Sequence, residues 1–294
     1  MRASDGKLVS HPRRRLIPAS AHAYNSFSGR ATAMKTWGMA LCAAFVSAIA
    51  FAPIATVAQD ADLILYYDYE QFSGDEAVDM SGKGRVGVIN GEVKIEADAT
   101  RGNVARFASG SFIDMDGPNW PEAEIPTGGM SLLAWVNVDS LGGDHAIFNA
   151  RAGDDTWLIH PEIRGGDGNF RWLLRSEGGN TIFDIRAGVA ADSEWIHFAG
   201  VYDSGDGAAL YINGVEEGVG AAGADIAGDW GKGARVGYNI DNNRPFTGMM
   251  DDLNLWKRGL TQEEVEIIME FGPLPQAVDP NGKATTTWAS VKSR

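Results

Sequence analysis

Three short runs carry the polar side chains best spaced to act together. In Leu158–Arg164 one parity is His160, Glu162 and Arg164. In Phe170–Arg175 the alternate positions are Arg171, Leu173 and Arg175, and in Ile182–Arg186 they are Asp184 and Arg186. Successive side chains of a strand point to opposite faces, so neighbouring strands would gather these seven polar groups on one sheet face. Five of the seven are Arg or His. Planar guanidinium forks match carboxylates and sulfates, so this face suits an acidic glycan. The same pattern equally describes a solvated face that neutralises itself through cross-strand ion pairs.

Other chemistry finds less support. Neither His-Glu-x-x-His nor Gly-x-Ser-x-Gly occurs. One Gly-x-Gly-x-x-Gly, Gly82 to Gly87, leads into Asn90-Gly91 rather than a helix, so no helix N-terminus awaits a pyrophosphate. His145 follows a Gly-rich stretch and reads as a loop-to-strand residue, while His197 reads as a hydrogen-bonded structural histidine. Trp120 and Trp230 are loop aromatics that could stack on sugar rings, although packing is the expectation for each.

Charge and cysteine content narrow the classes further. The 294 residues include 25 Lys or Arg and 39 Asp or Glu, a formal charge of −14. Such a chain is a poor partner for phosphate backbones, so nucleic-acid binding is not expected, nor is a role on anionic membrane surfaces. A single Cys, Cys42, precludes an internal disulfide or a Cys-based zinc site.

Met34-Lys35 precedes 24 uncharged residues, Thr36 to Gln59, with an apolar stretch at Met39–Ala52 and small residues before Gln59. That order describes a signal peptide over 34–58, with residues 1–33 as an upstream extension and export to a secreted, periplasmic or cell-surface location. The alternative is an uncleaved anchor over 36–58. Removing residues 1–58 takes away seven basic residues but one acid, leaving a net charge of −20.

Beyond residue 59 the pattern is of short strands separated by Gly, Asp and Asn. Leu132, Ala134, Val136 and Val138 alternate with Leu133 and Trp135, and Asn90-Gly91 and Asn213-Gly214 read as hairpin turns. Regular strands without interleaved helices predict an all-β, two-sheet antiparallel jelly-roll sandwich over residues 59–272. Thr261 and Glu264 form a capping box that opens one short C-terminal helix, Thr261–Glu270, and Gly272-Pro273 stops it. Residues 273–294 read as a loosely ordered tail.

These pieces resemble the laminin-G-like branch of the concanavalin A-like jelly-roll superfamily. The matching segments are the loop Asp79–Gly84, then Met130–Val136, Trp195–Asp203, Leu210–Gly214 and Phe246–Thr261, in that order. The resemblance implies a structural Ca2+, for which the candidate loop oxygens are Asp68, Glu70, Asp79, Ser81, and Asp251 or Asp252; the same acids equally describe solvated turn residues or caps. The Glu-x-Asp-x-x-Glu strand of the family's glycan hydrolases is absent here; Glu264, Glu266 and Glu270 fall on the helix instead. The expectation is therefore an exported, non-catalytic binding or adhesion module that recognises a glycan or an extracellular protein. The alternatives are a glycan-active hydrolase or lyase with an unfamiliar site, or a ligand-free structural envelope component.

Overall fold

A computed structural model describes residues 60–115 and 120–274. The expected extension, signal peptide or anchor, and all but the first two residues of the tail lie outside the described residues. The first half of the domain contains β1 (Leu63–Tyr67), β2 (Glu76–Ala77), β3 (Gly87–Asn90), β4 (Val93–Asp98), β5 (Gly102–Phe107), β6 (Phe112–Asp114) and β7 (Gly129–Val138). Next come β8 (His145–Ala146), β9 (Phe148–Arg151), β10 (Trp157–Ile163), β11 (Asn169–Arg175) and β12 (Thr181–Val189). The chain then forms β13 (Ile196–Asp203), β14 (Gly207–Ile212), β15 (Val215–Gly220), β16 (Gly233–Val236), β17 (Gly248–Trp256) and α1 (Gln262–Phe271).

All pairings are antiparallel and build two packed sheets, the jelly-roll sandwich that the strand pattern implied. One sheet runs β15-β14-β13-β7-β17-β5-β4, with β1 also on β17; the other runs β12-β11-β10-β9-β16-β6-β3-β2, with β8 on β10. A bulge at Asp251–Asn254, with Asp252 at φ 50°, lets β17 pair with β5 through Gly248–Met250 and with β1 through Leu253–Trp256.

Alternation on β7 separates the two apolar layers. Leu132, Ala134, Val136 and Val138 enter the core between the sheets, while Leu133 faces the other way and packs with Trp256, Leu260, Val265 and Ile268 under α1. The capping box forms as expected, with Thr261 as the N-cap rather than the first helical residue. The two sheets approach closely where Trp172 on β11 meets Phe198 on β13, ring centroids 6.3 Å apart. Opposite that indole a side chain has no room: a Cβ on Gly200 would lie 2.5 Å from the Trp172 ring.

The Asn213-Gly214 turn joins β14 to β15, with both residues at positive φ as a tight hairpin needs. Asn90-Gly91 behaves differently. β3 and β4 belong to different sheets, so this turn is a corner carrying the chain from one layer to the other. Only Gly91 adopts positive φ, and Asn90 uses its side-chain amide to bond the Val88 carbonyl.

On the outer face of the eight-stranded sheet, His197, Trp135 and Asp251 lie opposite one another on β13, β7 and β17. Arg101, from the β4–β5 turn, reaches over them: its guanidinium is 4.2 Å from the Trp135 ring, and it bonds Asp251 at 2.6 Å and Asp252 at 2.8 Å. Burial and then Arg101 hold His197 down at about 3. Burial and the Asp252 charge push Asp251 up to about 7, against the pull of Arg101.

Two predictions follow from this packing. Gly200→Ala should cost about 1–3 kcal/mol in chemical denaturation, because the Trp172 indole must shift; an unchanged midpoint would contradict the close approach. The second concerns pH. His197 gains a proton on unfolding, so it removes stability as pH falls from 6.5 towards its folded value. Asp251 loses one, so it removes stability as pH rises from about 4 towards 7. Each slope approaches about 1.4 kcal/mol per pH unit, and the two oppose. His160, likewise depressed, adds to the His197 slope, so the expectation is relative to the parent: between pH 4.5 and 6.5 His197→Gln should make the slope of stability against pH less positive, and Asp251→Asn should make it more positive. Equal slopes in the two variants would exclude this titration.

Candidate functional site

The site is built on the outer face of the nine-stranded sheet. Glu162 lies opposite Arg171, which lies opposite Arg186; His160 lies opposite Leu173, which lies opposite Asp184. The three runs are therefore adjacent strands, and their shared parity places the polar groups on one face, with Arg175 ending β11 and Arg164 just past β10.

The geometry then spends most of their charge internally. Glu162 is 1% exposed. One of its oxygens accepts from Arg164 and Arg171, each at 2.9 Å, and the other lies 3.0 Å from the Arg244 Nε. Arg171 forks onto Asp184 at 2.6 and 2.7 Å, and Arg186 approaches the same carboxylate at 3.2 Å. Those guanidinium groups draw Asp184 below the usual carboxylate range, although burial opposes them. Burial, followed by the charges of Arg171, Arg244, Arg175 and Arg151, pushes His160 well below an ordinary histidine, so its ring is neutral at pH 7. Much of the expected anion-reading patch is thus a self-paired layer.

A cleft of about 550 Å³ opens beside this layer. Asp144, His145, Trp157, Asp241, Arg244 and Thr247 are among its lining residues. Asn149, buried on β9, fixes one wall: its oxygen accepts from the Ile240 amide, and its amide bonds the Ile159 carbonyl. Arg244 has φ 56° and Asn242 φ 58°, a left-handed backbone costly for residues with side chains. From there Arg244 crosses to lie 4.9 Å from the Trp157 ring and 3.4 Å from Asp144. Arg151 approaches the same ring at 4.7 Å and holds Asp241 at 2.6 Å. His160 stacks on Trp157 with ring centroids 4.6 Å apart. With His160, Arg151 and Arg244 over its ring, Trp157 gives the cleft a half-buried indole edge; beside it stand carboxylate acceptors and a fixed guanidinium, a combination that suits a polyhydroxylated ligand.

The oxygens expected around a calcium ion do not form one such set. Asp79 organises its own loop, accepting from the amides of Tyr66, Ser81 and Arg85 and from the Ser81 hydroxyl. Asp68 accepts from the amide of Glu70. Asp251 and Asp252 are held by Arg101, and Tyr66 donates to Asp252. Among the described residues no group of three His, Cys, Asp or Glu is arranged to hold a metal ion. These residues do not fit a shared cation.

Trp120 and Trp230 pack against each other at 5.0 Å and are 6% and 1% exposed. The sequence pattern passed over Trp157, Arg151, Asp144, Asp241 and Arg244, which enter the site from strand ends and loops. Its one signal was Asp241-Asn242-Asn243-Arg244-Pro245, a run of turn formers between two strands.

Comparisons place this geometry among known folds. A laminin G-like family model, described as Concanavalin A-like lectin/glucanases superfamily, matches residues 115–266. No curated protein matches the chain. Among solved structures, domain 4 of AbnA, a GH43 extracellular arabinanase from Geobacillus stearothermophilus, aligns with TM-score 0.56 and 22% identity over 72% of this chain and 100% of that one. The binding domain of Paraclostridial Mosquitocidal Protein 1 aligns at 0.52 with 16% identity over 71% of this chain and 52% of its own length. The botulinum neurotoxin serotype G binding domain gives 0.53, 15%, 71% and 50%. The chain thus spans about half the length of these toxin domains. Two packed antiparallel sheets and the family match together show that the chain belongs to the concanavalin A-like lectin/glucanase superfamily.

Proposed function

We propose that this protein is an exported, non-catalytic glycan-binding module, and that a sugar chain enters the cleft between residues 143–145 and 241–247 and meets the exposed edge of Trp157. The observation that carries this reading is the cleft itself: a half-buried indole beside Asp144, Asp241 and Arg244, all held in place by ion pairs. A sugar presents an apolar ring face and a rim of hydroxyls, and the cleft meets both. The arabinanase domain that shares the fold is described in complex with arabinotriose, which supports a glycan as ligand. Export rests on the signal-peptide pattern of residues 34–58.

Non-catalytic binding is supported by where the carboxylates spend their oxygens. Asp144 faces Arg164 and Arg244, Asp241 faces Arg151, and Glu162 faces three guanidinium groups. Hydrolysis of a glycosidic bond needs an acid free to give a proton to the leaving oxygen. Each cleft acid is instead committed to a cation.

The test is a glycan array probed with the full chain, followed by calorimetric titration of the strongest ligand. Selective binding to a subset of glycans is expected, undiminished by a chelator because the candidate calcium oxygens are engaged elsewhere. Trp157→Ala, with its melting curve recorded as a fold control, should weaken binding about tenfold or more, a loss of about 1.4 kcal/mol, because it removes the indole edge and the surface that orders Arg244. An array with no glycan above background would overturn the proposal, as would a folded Trp157→Ala protein that binds as tightly as the parent.

A further inference from the structure

The outer face of the nine-stranded sheet continues past the loop that walls the cleft. Arg235 on β16 lies opposite Asn149 on β9 and opposite Asp114 on β6, and Val88 on β3 lies opposite Asp114 in turn. Phe112 shares their parity, while Ile113 and Val236 enter the core. This half of the face is apolar where the half around Glu162 is charged. Val86 and Val88 are 44% and 46% exposed. Diagonally across from Val88, the ring of Phe112 lies 6.0 Å from that of Tyr238, and neither ring is buried.

One loop joins the two halves. The Tyr238 hydroxyl donates to the Asn242 carbonyl at 2.8 Å. Arg235, 4.1 Å from the Phe112 ring, donates to the Asn242 side-chain oxygen at 3.2 Å. The neighbouring Asp241, Asn243 and Arg244 line the cleft. The loop therefore borders the cleft on one side and the apolar strip on the other, and its tip, Asn242-Asn243, is exposed.

We infer that the strip of Val88, Phe112 and Tyr238 is a second subsite of the same glycan-binding surface, so that the ligand is an extended polysaccharide chain crossing the loop at Asn242 and Asn243. The inference rests on the glycan-binding reading. Arg235 lies over one face of Phe112, so the chain meets the rest of that ring with Val88 and Tyr238 beside it. These apolar groups suit the C–H face of a sugar, and Asp114, Arg235 and Asn242 stand beside them for its hydroxyls. A protein partner fits less well: a stable interface buries about 800 Å² per partner around an apolar core, and two valines with two half-buried rings fall short of that. The span sets the length of the ligand. Trp157 lies opposite Arg151, and Arg151 opposite Gly233. From that level Phe112 is three strands over and four residues along, about 20 Å at ordinary strand spacing and rise. A single sugar ring cannot touch both ends.

The experiment titrates the full chain calorimetrically with arabino-, xylo- and cello-oligosaccharides from disaccharide to octasaccharide, and with graded lengths of the strongest glycan on the array. Affinity should rise about tenfold or more between the shortest member that binds and the octasaccharide. Phe112→Ala should remove most of that gain while the shortest member binds as it does to the parent, whereas Trp157→Ala should weaken every length. Phe112→Leu keeps an apolar side chain without the ring and should lose part of the gain; melting curves report whether each variant folds. Equal affinity at every length would overturn the inference and leave the glycan reading intact. So would a folded Phe112 variant that keeps the whole gain, or one whose affinities fall by the same factor at all lengths. A protein that binds no glycan of any length would remove the glycan reading, and this inference with it.

Discussion

The outer face of the nine-stranded sheet is organised by one buried carboxylate. Glu162 is 1% exposed, and a carboxylate so shielded from water is stable only when cations and donors surround it. Three guanidinium groups do so, and they come from different places: Arg171 from the neighbouring strand, Arg164 from the end of β10, and Arg244 from the loop after β16. Satisfying one charge therefore ties a loop to the sheet. Asp144 repeats the arrangement for the loop before β8 by facing Arg164 and Arg244 together. The two walls of the cleft are thus fixed relative to β10 by charges that cannot be left unpaired, and the same requirement holds Arg244 in a backbone conformation it would otherwise avoid.

Rigid walls of this kind are useful for recognition. A flexible lysine or arginine loses rotamer freedom when it captures a ligand, at about 0.5–1.5 kcal/mol per side chain. Here that ordering has already happened on folding. Arg171 is locked in a two-pronged contact with Asp184, and Arg151 lies between Asp241 and the Trp157 ring. Leu173 shares this face and is only 2% exposed, so the polar layer excludes water even where it contains an apolar side chain. Excluding water strengthens the electrostatic contacts of any group that enters the cleft.

Strand parity was the most legible property of the sequence. The alternation in Leu132–Val138 assigned core and helix-facing residues on β7, and the alternation of His160, Glu162, Arg171, Asp184 and Arg186 put them on one face, because a period of two admits only two choices. Thr261 and Glu264 were legible for a different reason: a capping box is a contact within four residues and needs no tertiary information. Asn90-Gly91 was misread because the dipeptide specifies a turn but not which sheet receives the next strand; that is decided by β3 pairing with β6 and β4 with β5. The cleft was illegible for a related reason. Trp157, Asp144 and Arg244 are brought together by loop closure across dozens of residues, and no periodicity records it. Nor does parity tell how charges pair, so a face that looked rich in free arginines proved to be mostly committed.

That commitment separates what the fold provides from what the ligand must provide. A self-paired polar face is the ordinary outcome for an antiparallel sheet against water, and Arg164, Arg171 and Arg186 conform to it. Were the pairing complete, nothing would distinguish this surface from a solvated one. It thins at the edge nearest Trp157, where Arg175 bonds the Trp157 carbonyl and has no carboxylate partner among the described residues. On the proposed reading, the paired region supplies rigidity, and the cleft between Asp144, Asp241 and Arg244 supplies the contacts a sugar would make.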